Sequence, residues 1–401
     1  MKTPLAWLNL LHDKTRASVA VAGVAFAVVL VLMQLGFLGA ARRTATQVYE
    51  QLDFDLLLVS RQYFYLSKAG TFPRARLYQA LSAQGVAGAK PLYVGFNYWL
   101  NGKQNVRPDR ERNDDKLYRR GIFVIGLRPE NEIFRLGKVR EQLPLLQQPG
   151  HVLMDTFSRK KFFGAEWEHN DDLEIGGRHI KVVGTFAMGT GFGADGDVIV
   201  SDQTFGELFP DRSEHEVSLG LLKLAPGAKA DEVAARLEQA LLPDVRVLTR
   251  DQITKREQDY WVERTSVGVI FKLGVLVGFI VGTAIVYQVL SSDIANHMPE
   301  YATLKAMGYG PRYLAGVVLQ QAWILSLVGF VPGWIISKLL YDLTRNGLKI
   351  PLLLDIDGTH LPMVLDWPLT WQVALMSVAM CSLSGLAALR KVNSADPADL
   401  F

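Results

Sequence analysis

Hydrophobic residues in this chain are gathered into four long blocks separated by polar sequence. The first, Ala17 to Ala41, has no charge between Arg16 and Arg42; the second runs from about Val267 to Leu290 with Lys272 as its one charge. The third spans Tyr313 to Ser337 and the fourth Trp367 to Leu389. A bilayer core roughly 30 Å thick takes about 20 apolar residues in a helix, and every block is long enough. The pattern predicts four transmembrane helices in a 1 + 3 arrangement around the polar segment 42–264. A cleaved leader is the competing reading of the first block, because Lys2, Lys14 and Arg16 precede it and Gly39, Ala40 and Ala41 are small. The apolar run is too long for a leader, so a retained span is expected. Ahead of it, Thr3 and Pro4 mark a helix start, with Trp7, Leu8, Leu10 and Leu11 on one arc and Asn9, His12 and Asp13 opposite. Residues 1–16 therefore read as an interfacial amphipathic helix.

Within 42–264 the period shortens to that of strands and short helices. Phe54–Ser60, the helical stretch Pro73–Ala83 and Pro91–Phe96 form one strand, helix, strand unit; Val217–Leu224, Ala230–Leu242 and Val245–Leu248 form another. Two such units commonly pair as a split αβ sandwich. The expected base is thus built from the two ends of the segment, with an insertion at about 98–210 dominated by strands such as Gly121–Leu127, Asp172–Phe186 and Asp197–Ser201. The stretch Asp251–Arg264 is charged, free of proline and helical in character.

Composition sharpens this picture. Of 401 residues, 49% are hydrophobic, and 43 Lys and Arg against 40 Asp and Glu leave a net charge of only +3. So small an excess argues against a nucleic-acid partner. The single cysteine, Cys381, excludes an intrachain disulfide framework and a thiolate zinc cluster.

Candidate chemistry is sparse. Gly191, Gly193 and Gly196 form a GxGxxG, but a strand follows where a dinucleotide site needs a helix, so a hairpin loop is expected. Asp355, Asp357 and Gly358 resemble the start of a calcium loop without its later ligands, and His297 with Glu300 lack a third metal ligand. The charge-dense stretch Arg107–Arg120 reads as a solvated hairpin tip or a docking site. No phosphate loop, HExxH helix or GxSxG elbow occurs, so no catalytic residue, metal or bound cofactor is assigned.

Two features suggest how the spans pack. Gly274, Gly278 and Gly282 put a small-residue ladder on one face of the second span, suited to close approach either within the subunit or across a dimer. Lys272 lies near the end of that span and can snorkel to the interface.

The sequence between the second and third spans, SSDIANHMPEYATLKAMGYGPRYLAGVVLQQA, carries the most specific pattern. Pro299 and Glu300 suit a helix start; Tyr301, Leu304 and Met307 share a face; Gly308, Gly310 and Pro311 end the helix. An apolar face on so short a helix suits either the membrane surface or a groove in a partner. Here the chain resembles the permease subunits of the MacB/FtsX-like ABC superfamily, whose corresponding loop has the form E-x-x-x-L-[KR]-A-[ML]-G, matched by Glu300, Leu304, Lys305, Ala306, Met307 and Gly308. The tail ADPADLF resembles the family's ending, and PLAWLNL, PEYATLKAMGY and GFGADG are closest to the DevC-type permeases of cyanobacteria.

The resemblance implies a fold, a role and partners. The fold is an α-helical membrane protein with a large α+β periplasmic domain, porter-like βαβ units plus a β-rich insertion. Its expected divisions are an interfacial helix 1–16, spans 17–41, 265–290, 313–337 and 367–389, a periplasmic domain 42–264 with a stalk helix at about 251–264, a cytoplasmic coupling loop 291–312, a periplasmic loop 338–366 and a cytoplasmic tail 390–401. Glu300, Tyr301, Leu304, Lys305, Met307 and Gly308 become the coupling helix that contacts an ATPase. The implied assembly is a homodimer in the inner membrane with a DevA-like ATPase that binds the ATP, a DevB-like adaptor and a TolC-like channel, in contact with membrane lipid and exporting an envelope glycolipid. Other superfamily roles are lipoprotein release and control of a cell-wall hydrolase. A membrane sensor with an extracytoplasmic ligand domain is the alternative outside the family.

Overall fold

The computed structural model describes residues 14–101, 119–158, 173–189, 193–350, 354–357 and 361–393. Two compact units emerge, one of residues 41–265 and 359–362, the other of 1–40, 266–358 and 363–401. Residues 1–13 of the expected 1–16 amphipathic helix and most of Arg107–Arg120 lie outside the described residues, while residues 14–16 belong to a long helix; Gly191 of the glycine pattern is also outside, Gly193 sits in a turn and Gly196 opens a strand.

In the 41–265 unit, strands β1 (Leu56–Ser60), β2 (Phe72–Pro73), β3 (Val86–Asn101), β4 (Arg120–Leu127), β5 (His151–Asp155), β6 (Leu173–Ile175), β7 (Arg178–Phe186), β8 (Gly196–Ser201), β9 (Glu216–Val217), β10 (Leu219–Leu224) and β11 (Val245–Thr249) are joined by short helices. The main sheet has the order β11-β1-β10-β3-β4-β8-β5-β7-β6. β1 lies antiparallel between two strands from the far end of the segment, Leu58 facing Gly220 on one side and Val247 on the other.

Its run LLLVS is buried throughout because both faces are covered. Leu56 and Leu58 face the core beneath helices Ala75–Leu81 and Ala230–Ala240, through Leu77, Val233 and Leu237. Leu57 and Val59 face a second core with Tyr49, Leu52, Phe54 and Ile253. The period-2 alternation thus sorts one strand between two cores.

The long strand β3 joins the two parts of the domain. Its first half pairs with β10, its second half with β4, and its tip with β6, Trp99 facing Ile175. Strands β3, β4, β8, β5, β7 and β6 thereby close on themselves, which leaves that ring without a free edge among the described residues. The ring begins inside β3, so the insertion grows out of a base strand. Within it lie β5 and the helices Gly137–Gln142 and Asp202–Leu208, which the sequence pattern did not single out.

One half-buried and one buried side chain tie the ends of this unit together. Arg250 donates to the carbonyls of Tyr49 at 2.8 Å, Leu52 at 2.8 Å and Phe54 at 2.9 Å, and its guanidinium lies 4.1 Å from the centroid of the Phe54 ring. Glu257 is 1% exposed. It accepts hydrogen bonds from the Tyr63 hydroxyl and, at 3.3 Å, from the Leu66 amide, while Tyr63 meets the Tyr49 hydroxyl at 2.5 Å. Burial pushes the Glu257 carboxyl up to about 7. Asp155, buried and held by the amides of Phe157, Met188 and Gly189, is pushed up to about 6 by the same cause.

The expected stalk helix 251–264 is interrupted. A capping box between Thr249 and Gln252 starts an α-helix at Arg250 that runs to Asp259. Tyr260–Arg264 then forms a π-helical turn, and Thr265 is extended. Ile253, Glu257 and Val262 are buried in the domain, so this segment belongs to its core.

Among the described residues, the other unit holds four helices long and apolar enough to cross a membrane: αA (Lys14–Gln51, its last turns belonging to the 41–265 unit), αB (Ser266–Asn296), αD (Pro311–Asn346) and αE (Trp367–Asn393). αA runs past Ala41 and αD past Ser337, because polar residues that cannot remain in lipid are still good helix formers in water. Much of the 338–366 loop is therefore structured, as the end of αD and a hairpin of Gly347–Ile350 with Leu354–Asp357. That hairpin contains Asp355 and Asp357.

Glycines bring the helices together. A Cβ on Gly282 would stand 2.5 Å from Ala27 Cβ and 2.2 Å from Met380 Sδ; one on Gly274 would stand 2.4 Å from Gln34 Cδ, and one on Gly278 3.2 Å from Val31 Cγ2. The space the ladder leaves is thus filled by αA and αE of the same chain. Gly329 and Gly333 admit Val24 and Val28 of αA in the same way.

Candidate coupling site

Between αB and αD stands the short helix αC, Met298–Ala306. Pro299 occupies its first turn, where a missing N–H costs nothing, and Glu300 adds negative charge to the positive end of the dipole. At the other end the Gly308 amide donates to the Lys305 carbonyl at 3.1 Å and the Tyr309 amide to the Leu304 carbonyl at 3.1 Å. Gly308 has φ +92°, and the pair of bonds is a Schellman closure. The glycine of the LKAMG pattern is thus explained by backbone geometry: a side chain there is strained.

The expected apolar face divides. Tyr301 is 4% exposed and joins the helix core, against which Leu304 also packs. Met307 follows the last helical residue, still donates its amide to the Thr303 carbonyl at 3.0 Å and is 62% exposed, because six residues carry it about 120° round the helix from Tyr301. The site therefore has two sides. Tyr301 and Leu304 hold αC on its own bundle, while Met307, Tyr309 and Tyr313 present apolar surface outward, the two tyrosine rings 4.7 Å apart. Glu300 is exposed and Lys305 half-buried at the margin.

A polar cluster lies under αC. Gln321, 1% exposed on αD, donates to Asp293 of αB at 3.2 Å, and the His297 ring meets the Asp293 carbonyl at 3.0 Å. The Tyr301 hydroxyl and Gln321 Oε1 are buried without a hydrogen-bond partner among the described residues. The sequence pattern did not disclose this cluster, since Asp293 sits near a helix end where polar residues are ordinary and Gln321 is an uncharged polar residue within an apolar block. His297 thus serves the helix junction, through Asp293, rather than pairing with Glu300.

Comparison with protein families finds two matches: a model of the MacB-like periplasmic core domain over residues 17–240, and one of the FtsX-like permease C-terminal region over residues 272–397. Comparison with curated protein sequences gives no match. Among solved structures, the periplasmic region of MacB from Actinobacillus actinomycetemcomitans aligns at 10% identity with a TM-score of 0.31, over 52% of this chain and 94% of that chain. The extracellular domain of the noncanonic ABC-type transporter YknZ from Gram-positive bacteria aligns at 10% identity with a TM-score of 0.31, over 49% of this chain and 99% of that chain.

Proposed function

This chain belongs to the MacB-like periplasmic core domain family and carries an FtsX-like permease C-terminal region, and on that premise we propose that it is the membrane subunit of an ABC-type transporter, driven by a separate ATPase that docks on αC. The observation that carries the proposal is the pairing of an inward-facing and an outward-facing side in one closed elbow: Tyr301 and Leu304 against the bundle, Met307 and Tyr309 outward. A force applied to the outer side is passed to αB and αD through the inner one. The unpartnered Tyr301 hydroxyl favours such movement, since a buried unsatisfied group costs about 1–3 kcal/mol and a shift that gives it a partner recovers that cost.

The finer reading follows the sequence resemblance. The transporter is of the DevC type and works as a homodimer in the inner membrane, with αC and both termini cytoplasmic and the 41–265 unit periplasmic. A DevA-like subunit hydrolyses ATP, and a DevB-like adaptor and a TolC-like channel carry an envelope glycolipid outward. Transport in this scheme is mechanical, and the chain itself makes and breaks no covalent bonds.

Burying Met307 and Tyr309 in a partner groove is worth about 1.5–3 kcal/mol each, or about tenfold to a hundredfold in affinity. Replacing both with Asp is expected to release the ATPase in copurification while the chain still inserts and migrates as wild type. Leu304→Asp, in contrast, is expected to destabilise the bundle. If the double variant retains its ATPase and exports normally, the coupling reading is wrong. Copurification of the wild type tests the finer reading, since an exporter brings an adaptor and a channel with it.

A further inference from the structure

A cleft in the 41–265 unit, remote in sequence from αC, has a chemistry that coupling does not use. It has a volume of about 620 Å³ and lies among the residues flanking β2, the helix Asp202–Leu208 and the segment 212–218 that includes β9. That is the size of a small-molecule site.

Two guanidiniums form its inner wall. Arg74 donates from Nη2 to the Tyr93 hydroxyl and lies 6.0 Å from the centroid of that ring. Its Nε is buried with no hydrogen-bond partner among the described residues. Arg212 donates from Nη1 to the Val94 carbonyl at 2.6 Å and to Ser218 Oγ at 3.3 Å, and its guanidinium lies 5.0 Å from the Phe209 ring centroid. Neither has a carboxylate within ion-pair distance among the described residues, Glu216 acting on Arg212 only at longer range. Partly buried arginines are expensive to keep without a direct partner, whereas two fixed forks are suited to an oxyanion.

The outer lip has the opposite sign. Of the acids that line the cleft, Asp202 is engaged by Arg128 at 3.2 Å and Glu216 by Thr71 Oγ1 at 2.6 Å. Glu207 and Glu214 are exposed at the mouth. This lip repels a polyanion and attracts a cation, while the wall attracts an anion.

We propose that the cleft binds a small zwitterion, its carboxylate or phosphate seated between Arg74 and Arg212 and its protonated amine turned to the Glu207 and Glu214 lip. The inference is independent of the coupling reading. Tyr93 and Phe205 add an apolar wall on which a short carbon chain between the two charges can rest.

The full-length protein in nanodiscs provides the test, by calorimetric titration with β-alanine and O-phosphoethanolamine, and with acetate, inorganic phosphate and ethanolamine as single-charge counterparts. At least one zwitterion is expected to saturate with a Kd of about 1 mM or tighter, and its single-charge counterparts to bind at least about tenfold more weakly. The arm that binds tells whether the anion is a carboxylate or a phosphate. Arg74→Gln is expected to abolish binding. Glu214→Gln, on an exposed side chain whose loss leaves the fold intact, is expected to bring the zwitterion and its bare oxyanion within about threefold of each other. The proposal is overturned if neither zwitterion saturates, if a bare oxyanion binds as tightly as its zwitterion, or if Arg74→Gln leaves the affinity unchanged.

Discussion

Glu257 makes the folded state sensitive to protons. Its neighbours are the hydroxyls of Tyr63 and Tyr49, the Leu66 amide and Arg256, and burial outweighs the hydrogen bonds that favour its charge. A carboxyl raised from its ordinary 4.5 to about 7 binds more protons folded than unfolded between those values. Stability therefore falls as pH rises through that window and levels off above it. Asp155, raised to about 6, slopes in the same direction at lower pH. Thermal melts are thus expected to show the wild type losing stability between pH 6 and pH 8, and Glu257→Gln flattening that upper part, with the full Glu257 contribution on the order of 3 kcal/mol. An unchanged slope in the variant would remove Glu257 as its source. In the membrane unit the decisive residues are the small ones: Gly282→Leu cannot be accommodated between Ala27 and Met380 without parting αB from αA and αE. It is expected to lower the melting temperature of the full chain sharply, whereas Gly316→Ala, with nothing within 4 Å of its added Cβ, is neutral or slightly stabilising. None of these buried or half-buried charges was legible in the sequence. Arg250 and Glu257 lie in a run of charge that reads as a solvated helix, and Arg74 and Arg212 look like ordinary turn residues. Burial of a polar side chain is decided by elements distant in the chain.

At the scale of elements much more could be read, because period and length act locally. The run FDLLLVS marks β1, the 230–240 periodicity marks its helix, and the four apolar blocks contain the cores of αA, αB, αD and αE. Where the reading went astray, the width of the apolar face was responsible. Tyr301, Leu304 and Met307 step round the helix by about 60° each, so the first is buried on the bundle, the second half-buried and the third exposed. The closure at Gly308 is itself testable. Gly308→Ala forces a side chain into a conformation with φ +92°, at a cost of about 1 kcal/mol, and is expected to speed amide exchange at position 308 and at Tyr309 about fivefold to tenfold. Exchange at wild-type rates would mean that the glycine conformation does not hold the elbow.

For the whole molecule, the expected topology places the turn at Gly227 on one side of the membrane and the loop at Gly310 on the other. Reporter fusions at the first site should read periplasmic and at the second cytoplasmic; the same compartment at both would overturn the membrane assignment. The division into two units was visible as a change of period near residues 42 and 265, but the closed ring of strands was not, since β3 pairing with β6 depends on register across distant sequence. The antiparallel seat of β1 has a further consequence, which concerns time. Leu58 must pair with Gly220 and Val247, residues that leave the ribosome long after it does. At about 5–20 residues per second, the delay is roughly 10–40 seconds. During that interval β1 is a finished apolar strand without neighbours, and the Tyr49, Leu52 and Phe54 carbonyls wait for Arg250. The domain is therefore completed late and from its far end inward, and the newborn chain has to be shielded while a strand made early waits for partners made near the end.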